Sequence, residues 1–96
     1  MARRPKPRNI SGKPVSTLFR PQGVPRAKLA GVVVELDAFE ALRLVDALGL
    51  SQEEAAEIMG VSRSTLCRIL GQGRTQVAQA LCQGLAIRIE LGPGHD

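Results

Sequence analysis

The segment 51–70 restricts the fold of this chain more than any other part of its sequence. Ser51 is followed three residues later by Glu54, a pair that caps a helix start through two reciprocal hydrogen bonds. Gly60 is a helix stop, and Ser62 provides a second helix start two residues further on. We therefore predict two consecutive helices joined by a tight turn. The predicted bounds are residues 52–59 for the first helix and a start at Arg63 for the second.

Two helices joined by so short a turn are typical of a helix-turn-helix. Ala56 is small where the helices come closest, and Gly60 tolerates the positive φ of a tight turn. The residues predicted to fill the angle between the helices are Met59, Val61, Leu66 and Ile69. The predicted outward side of the second helix carries Ser62, Arg63, Ser64, Cys67 and Arg68. Hydroxyl and guanidinium groups there favour insertion into the major groove of double-stranded DNA. The alternative is two packed helices without a nucleic-acid ligand, which does not predict the outward arginines.

The rest of the chain contains two predicted strands and a further helix. Residues 32–36 are rich in valine, and residues 86–90 alternate apolar and polar side chains, so we expect a short two-stranded sheet that pairs them. Asp37 and Glu40 predict a capping-box-like start for a helix that ends at Gly49.

The helix that begins at Arg63 is predicted to continue to Gln83, with Gly84 as its stop. Gly71 and Gly73 lie inside it and weaken it, so a kink or break there stays open.

The first 28 residues differ in composition from the remainder. They carry eight cations and no acid, whereas residues 29–96 carry five arginines and nine acids. Five of the six prolines also lie there. We predict an extended basic N-terminal arm to about Lys13, then an ordered loop pinned to the core by Val15, Leu18 and Phe19. The predicted organisation is a basic proline-rich arm and loop over 1–28, a helix-turn-helix domain over 29–91 and a flexible tail over 92–96.

The remaining reactive side chains give no pattern for catalysis or metal binding. Cys67 and Cys82 lie on one predicted helix about 22 Å apart, too far for a disulfide within the chain. Cys82 is interpreted as a small buried apolar residue, and His95 as a lone histidine in the tail. No stretch is apolar enough to span a bilayer. We expect no enzyme activity, no cofactor and no metal.

The chain resembles the uncharacterised protein family UPF0251, also called DUF134, whose members are predicted helix-turn-helix DNA-binding proteins. The resemblance rests most strongly on residues 40–65, and it extends over nearly the whole chain. Its further motifs are Arg4-Pro5, Arg8, Ile10, Phe19-x-Pro21-x-Gly23-x-Pro25, Arg68-x-Leu70, Arg74 and Val77-Ala78. Gly73 departs from the alanine usual in the family. The helical part is also similar to the C-terminal helix-turn-helix of sigma factors. The expected fold is therefore mainly α: a sigma-factor-like helix-turn-helix with a short two-stranded sheet and an extended basic arm.

These observations favour sequence-specific binding of double-stranded DNA by a cytoplasmic, nucleoid-associated transcription regulator. We expect it to act as a homodimer, because one recognition helix covers only a few base pairs. The predicted DNA-binding residues are Ser62, Arg63, Ser64, Thr65, Cys67, Arg68, Arg74, Arg3, Arg4, Lys6 and Arg8. Two alternatives stay open. One is a protein–protein adaptor on RNA polymerase or a sigma factor, and the other is an RNA-binding module.

Overall fold

A computed structural model of the chain describes residues 9–25 and 29–91. The predicted arm residues 1–8 and the predicted tail 92–96 lie outside this range. The strands are β1 (Leu18–Phe19), β2 (Gly31–Glu35) and β3 (Ala86–Glu90). The helices are α1 (Leu36–Ala41), which continues as a π-helical segment (Leu42–Ala47), α2 (Gln52–Met59) and α3 (Arg63–Gln83). The expected mainly helical fold with a short sheet is therefore confirmed. None of the helices in the described ranges is long and apolar enough to cross a membrane.

The sheet has three strands in the order β1-β3-β2. β2 and β3 are parallel, in a register that pairs Gly31 with Ala86 and Glu35 with Glu90. The predicted pairing of these two strands is thus confirmed, and all the helices lie in the connection between them. β1 pairs antiparallel with the other edge of β3 and was not predicted. It is only two residues long, so alternation of side chains gives no signal for it.

The first helix begins earlier than predicted. It starts at Leu36 directly after β2, with Glu35 at the N-cap position. The predicted capping-box pair of Asp37 and Glu40 is therefore wrong. Glu40 is instead fully buried, and its carboxylate binds groups of the N-terminal segment and of Arg43. Glu35 has the extended backbone of an N-cap residue, but its side chain makes no capping hydrogen bond to the first turn of α1.

The hydrophobic core lies between β2 and the three helices. Its buried residues are Val34, Ala38, Ala41, Leu44, Ala55, Ala56, Met59, Leu66, Ile69 and Leu70. α1 packs closely on α3 at Gly73, where an added Cβ would lie 3.3 Å from the Ala38 Cβ and 3.2 Å from the Leu42 Cδ1. α3 runs as one helix through Gly71 and Gly73, so a break there is not observed. Gly73 allows this close packing and does not interrupt the helix.

Residues 9–12 are held against the helices. The Asn9 amide donates to the Met59 carbonyl at 2.9 Å, and Ile10 packs on the core. The predicted extended arm therefore does not reach Lys13 as a free segment. Val15 was predicted to pin the loop, but its side chain is fully exposed. Phe19 is about half exposed, and its backbone contributes to β1.

Candidate nucleic-acid interface

α2, the turn at Gly60 and the first half of α3 form a unit that we call the α2–α3 unit. Ser51 caps α2: its hydroxyl accepts from the Glu54 amide at 3.0 Å, and the Glu54 carboxylate accepts from the Ser51 amide at 3.0 Å. The predicted capping box is therefore confirmed. α2 ends at Gly60, whose φ of 68° lies in the left-handed region that side chains with a Cβ rarely adopt. Val61 then donates to the Ala56 carbonyl at 3.0 Å and closes the turn.

Three hydroxyl groups cluster at the N-terminus of α3. The Ser62 hydroxyl accepts from the Thr65 amide at 3.1 Å, as predicted for the N-cap, and donates to the Thr65 hydroxyl at 2.9 Å. The Ser64 hydroxyl lies 3.2 Å from that of Ser62. Ser62 and Ser64 are exposed. The first turn of a helix has unpaired amides and the positive end of the helix dipole, so this surface favours an anion.

Apolar packing fixes the position of α3 against α2. Met59 and Leu66 are fully buried, Ile69 is nearly so, and Ala56 lies where the two helices approach. The residues predicted to fill the angle between the helices therefore do so. Because these contacts occupy the inner side of α3, its outer side is presented to solvent at a fixed angle.

The outer side of α3 is polar. Ser64, Arg68, Gln72 and Thr75 lie within about 80° of one another around the helix axis, and all four are exposed. Arg68 has no hydrogen-bond or ion-pair partner among the residues that the structure describes. No acidic residue occurs in the 21 residues of α3. Gln72 and Thr75 were missed in the sequence, although they follow Arg68 at helical spacing.

Two of the predicted residues are exposed but face α2. Arg63 lies 3.4 Å from a Glu53 carboxylate oxygen, with both side chains mostly exposed. The Cys67 thiol donates to the Gln52 side-chain oxygen at 2.8 Å. Such an exposed ion pair adds little stability, so the Arg63 guanidinium is readily available to an external anion.

Arg74 is engaged with another side chain. Its guanidinium binds both carboxylate oxygens of Asp46, at 2.7 and 3.0 Å. This bidentate contact lowers the pKa of Asp46 and raises that of Arg74. A phosphate contact by Arg74 stays a prediction, and it requires phosphate to replace Asp46. Cys82 is exposed on α3, so its interpretation as a buried residue is wrong.

The N-terminal segment is anchored beside the turn of the α2–α3 unit. The Asn9 side chain donates to the Ile58 carbonyl at 3.2 Å, and its Nδ2 lies 3.2 Å from where a Cβ on Gly60 would be. The predicted arm cations Arg3, Arg4, Lys6 and Arg8 lie outside the described residues. They precede Asn9 directly in the chain. The role of Asn9 as an anchor had no signal in the sequence.

A buried carboxylate provides the second anchor for this segment. Glu40 accepts from the Ser11 amide and hydroxyl at 2.8 and 2.7 Å and from the Arg43 Nε at 2.7 Å. Burial alone raises the pKa of Glu40, but the hydrogen bonds from Arg43 and Ser11 outweigh it and lower the pKa to about 2. The segment is therefore fixed by a charged group that stays ionised at neutral pH.

The described residues contain no group of His, Cys, Asp and Glu side chains that could hold a metal ion. The chemistry available on the outer side of α3 is hydrogen bonding and charge. Hydroxyl, amide and guanidinium groups suit phosphate oxygens and base edges.

Comparison with known proteins finds one family model and several relatives, all of the same family. The family described as "Protein of unknown function DUF134" matches residues 1–94. A UPF0251 protein of Thermoanaerobacter pseudethanolicus is 48% identical over 92 residues, which cover 96% of this chain and 78% of the relative. A UPF0251 protein of Caldanaerobacter subterraneus is 45% identical over 92 residues, with the same shares covered. One from Vibrio cholerae is 52% identical over 56 residues, 58% of this chain and 57% of the relative. No solved structure matches the chain. As the resemblance implied, the chain belongs to the DUF134 (UPF0251) family.

Proposed function

We propose that this protein binds double-stranded DNA in a sequence-specific manner and regulates transcription, with the α2–α3 unit acting as a helix-turn-helix. The observation that carries the proposal is the outer side of α3, where Ser64 and Arg68 are exposed on a helix without acidic residues and Arg68 has no partner in residues 9–25 and 29–91. A helix of this width fits the major groove of B-DNA. The proposed activity is binding rather than catalysis, and it implies association with the nucleoid.

The proposed DNA contacts are of two kinds, to base edges and to backbone phosphates. Arg68 is the proposed base reader, because a free guanidinium can bind guanine through two parallel hydrogen bonds. The hydroxyls of Ser62, Ser64 and Thr65, together with the first amides of α3, suit a backbone phosphate. Arg63 exchanges its exposed contact with Glu53 for a second phosphate.

The basic residues before Asn9 supply electrostatic attraction in this scheme. An extended segment of eight residues reaches about 26 Å. Because Asn9 is anchored beside the turn, cations within that reach of Asn9 could contact the DNA backbone next to the groove that α3 enters. Such contacts raise affinity for any sequence and make binding depend on salt.

Selection of duplexes from a random pool with the full chain tests this proposal. Arg68→Ala should weaken binding to the selected duplex by about 5- to 150-fold, measured by fluorescence anisotropy at fixed salt. Arg88→Ala is the matched control, because Arg88 is also exposed but lies on β3 and pairs with Glu90. Equal effects of the two substitutions would rule out Arg68 as a base reader. Failure to enrich any sequence would rule out sequence-specific binding.

An adaptor on RNA polymerase or a sigma factor is a second candidate, favoured by the exposed acidic side chains Glu53 and Glu57 on α2. These carboxylates suit a basic protein surface. Glu57→Lys would abolish retention on polymerase if this candidate were correct. The same substitution would leave DNA affinity unchanged or raise it if the DNA proposal were correct.

A further inference from the structure

One side of α3 contacts other helices in its first half and is exposed to solvent towards its C-terminal end. Arg63, Cys67, Arg74, Ala78 and Leu81 lie within about 60° of one another around the helix axis. Side chains of α2 contact this side at Arg63 and Cys67, and Asp46 of the π-helical segment contacts it at Arg74. Beyond Arg74 the cover ends, and the Leu81 side chain is 78% exposed.

An apolar groove of about 690 Å³ lies at this open end, between α3, α1 with its π-helical extension and the inner face of the sheet. Ten of its thirteen lining residues are apolar, among them Phe19, Phe39 and Leu81. The other three are Arg43, Asp46 and Arg74, each already in an ion pair within the described residues. The groove therefore offers no free charge, and its complement is an apolar, uncharged surface.

The parts of this sequence outside the described residues do not supply such a surface. Residues 1–8, 26–28 and 92–96 contain one large apolar side chain, that of Met1, and otherwise only arginine, lysine, proline, alanine, glycine, histidine and aspartate. A small apolar ligand in the groove would leave the outward side of Leu81 in water. A surface that presents both a protruding apolar side chain and an apolar groove is complementary to itself, as a two-fold interface requires.

We propose that a second copy of this chain covers the groove. The two α3 helices pair antiparallel about a two-fold axis near Ala78, whose small side chain allows close approach. Leu81 of each copy then enters the groove of the other. The ion pairs at the rim leave this face neutral, so charge repulsion does not oppose association.

One consequence rests on the proposed function. The midpoint of residues 63–68 lies about 19 Å along α3 from Ala78, so the two DNA-facing segments are roughly 38 Å apart, close to one helical turn of DNA. We therefore expect the selected duplexes to contain inverted repeats centred one turn apart.

Sedimentation equilibrium without DNA tests the dimer itself. The native chain should have dimer mass at about 100 µM, and Leu81→Glu should raise the dimer dissociation constant by at least ~30-fold. The exposure of Leu81 predicts that the variant keeps native circular dichroism, and Ala78→Glu is a second variant if it does not. Val15→Glu is the matched control, because Val15 is fully exposed and outside the groove, and it should remain dimeric. The proposal would be overturned if the native chain were monomeric. It would also be overturned if the two single variants, Leu81→Glu and Ala78→Glu, both remained dimeric.

Cross-linking tests the position of the axis. In a background with Cys67 and Cys82 changed to Ser, Ala78→Cys should form an intermolecular disulfide under mild oxidation. Gln83→Cys, about 140° around the same helix, should not. The reverse pattern would overturn the proposed arrangement.

Because the sedimentation and cross-linking measurements contain no DNA, failure of the dimer proposal can be distinguished from failure of the DNA-binding proposal. If the protein were monomeric and the selected duplexes contained a single half-site, only the dimer proposal would be contradicted.

Discussion

Replacement of Gly71 and of Gly73 by alanine should change stability in different ways, although the two glycines lie two residues apart in the same helix. Alanine is favoured over glycine in a helix interior by about 1 kcal/mol, and this gain is common to both substitutions. At Gly71 nothing lies within 4 Å of the new Cβ. The free energy of unfolding should therefore rise by roughly 0.5–1 kcal/mol, which corresponds to a Tm increase of about 2–8 °C.

At Gly73 the same gain is opposed by crowding. The new Cβ would lie 3.2 Å from the Leu42 Cδ1 and 3.3 Å from the Ala38 Cβ, closer than ordinary carbon contacts. Overpacking of this kind costs about 1–3 kcal/mol, so Gly73→Ala should be neutral or up to about 2 kcal/mol less stable than the native chain. The expected difference between the two variants is about 1–3 kcal/mol.

Urea denaturation of the three proteins at one protein concentration measures this difference, with circular dichroism as the probe. A fixed concentration is needed because self-association would couple stability to mass action. Equal stabilisation by both substitutions would refute the close packing of α1 on α3. No gain from Gly71→Ala would refute a continuous helix through this region.

Three further predictions concern the N-terminal segment and the turn. The pKa of Glu40 falls from 4.5 to about 2 on folding, so its contribution is present above pH 4.5 and is lost as the pH falls through 2. Glu40→Gln should therefore remove pH-dependent stability on the order of 3 kcal/mol, measured by urea denaturation at pH values between 2 and 4.5. If the native chain and Glu40→Gln lost stability equally over this pH range, the role of Glu40 as an anchor would be contradicted. Gly60→Val should lower the free energy of unfolding by about 1–2 kcal/mol or more, because a β-branched residue is strained at a φ of 68°, and an unchanged Tm would contradict this. Deletion of residues 2–8 should reduce the salt slope of log affinity for DNA by roughly 2.7 if three cations lie on phosphates, without changing the selected sequence. An unchanged slope would exclude this segment from the contact.

The parts of the fold with local signals could be predicted from the sequence. The Ser51 capping box, the stop at Gly60 and the cap at Ser62 are each decided by residues no more than three positions apart. The end of α3 at Gly84 is of the same kind. For this reason the bounds of α2 and α3 were predicted to the residue.

The features that were missed depend on distant partners. Glu40 carries the charge of a surface residue, and its burial is offset by hydrogen bonds from Arg43 and from Ser11, which lies 29 positions away in the chain. β1 exists because the edge of β3 is available to it. Cys82 and Val15 were expected to be buried because they are apolar, but the three-dimensional arrangement leaves both exposed. Arg74 was predicted to contact a DNA phosphate. Its ion pair with Asp46, 28 positions away, could not be identified from the sequence.

The order of the strands has a consequence for the sequence of folding events. β1 and β2 are not paired with each other, because β3 lies between them in the sheet, and β3 follows both in the chain. During synthesis the two N-terminal strands therefore have no partner until residues 86–90 leave the ribosome. Closing the loop of 50 residues between β2 and β3 costs about 3.5 kcal/mol of chain entropy unless the helices already hold its ends together. Because contacts that are close in sequence form faster than distant ones, this topology predicts that the helices assemble before β3 pairs with β1 and β2.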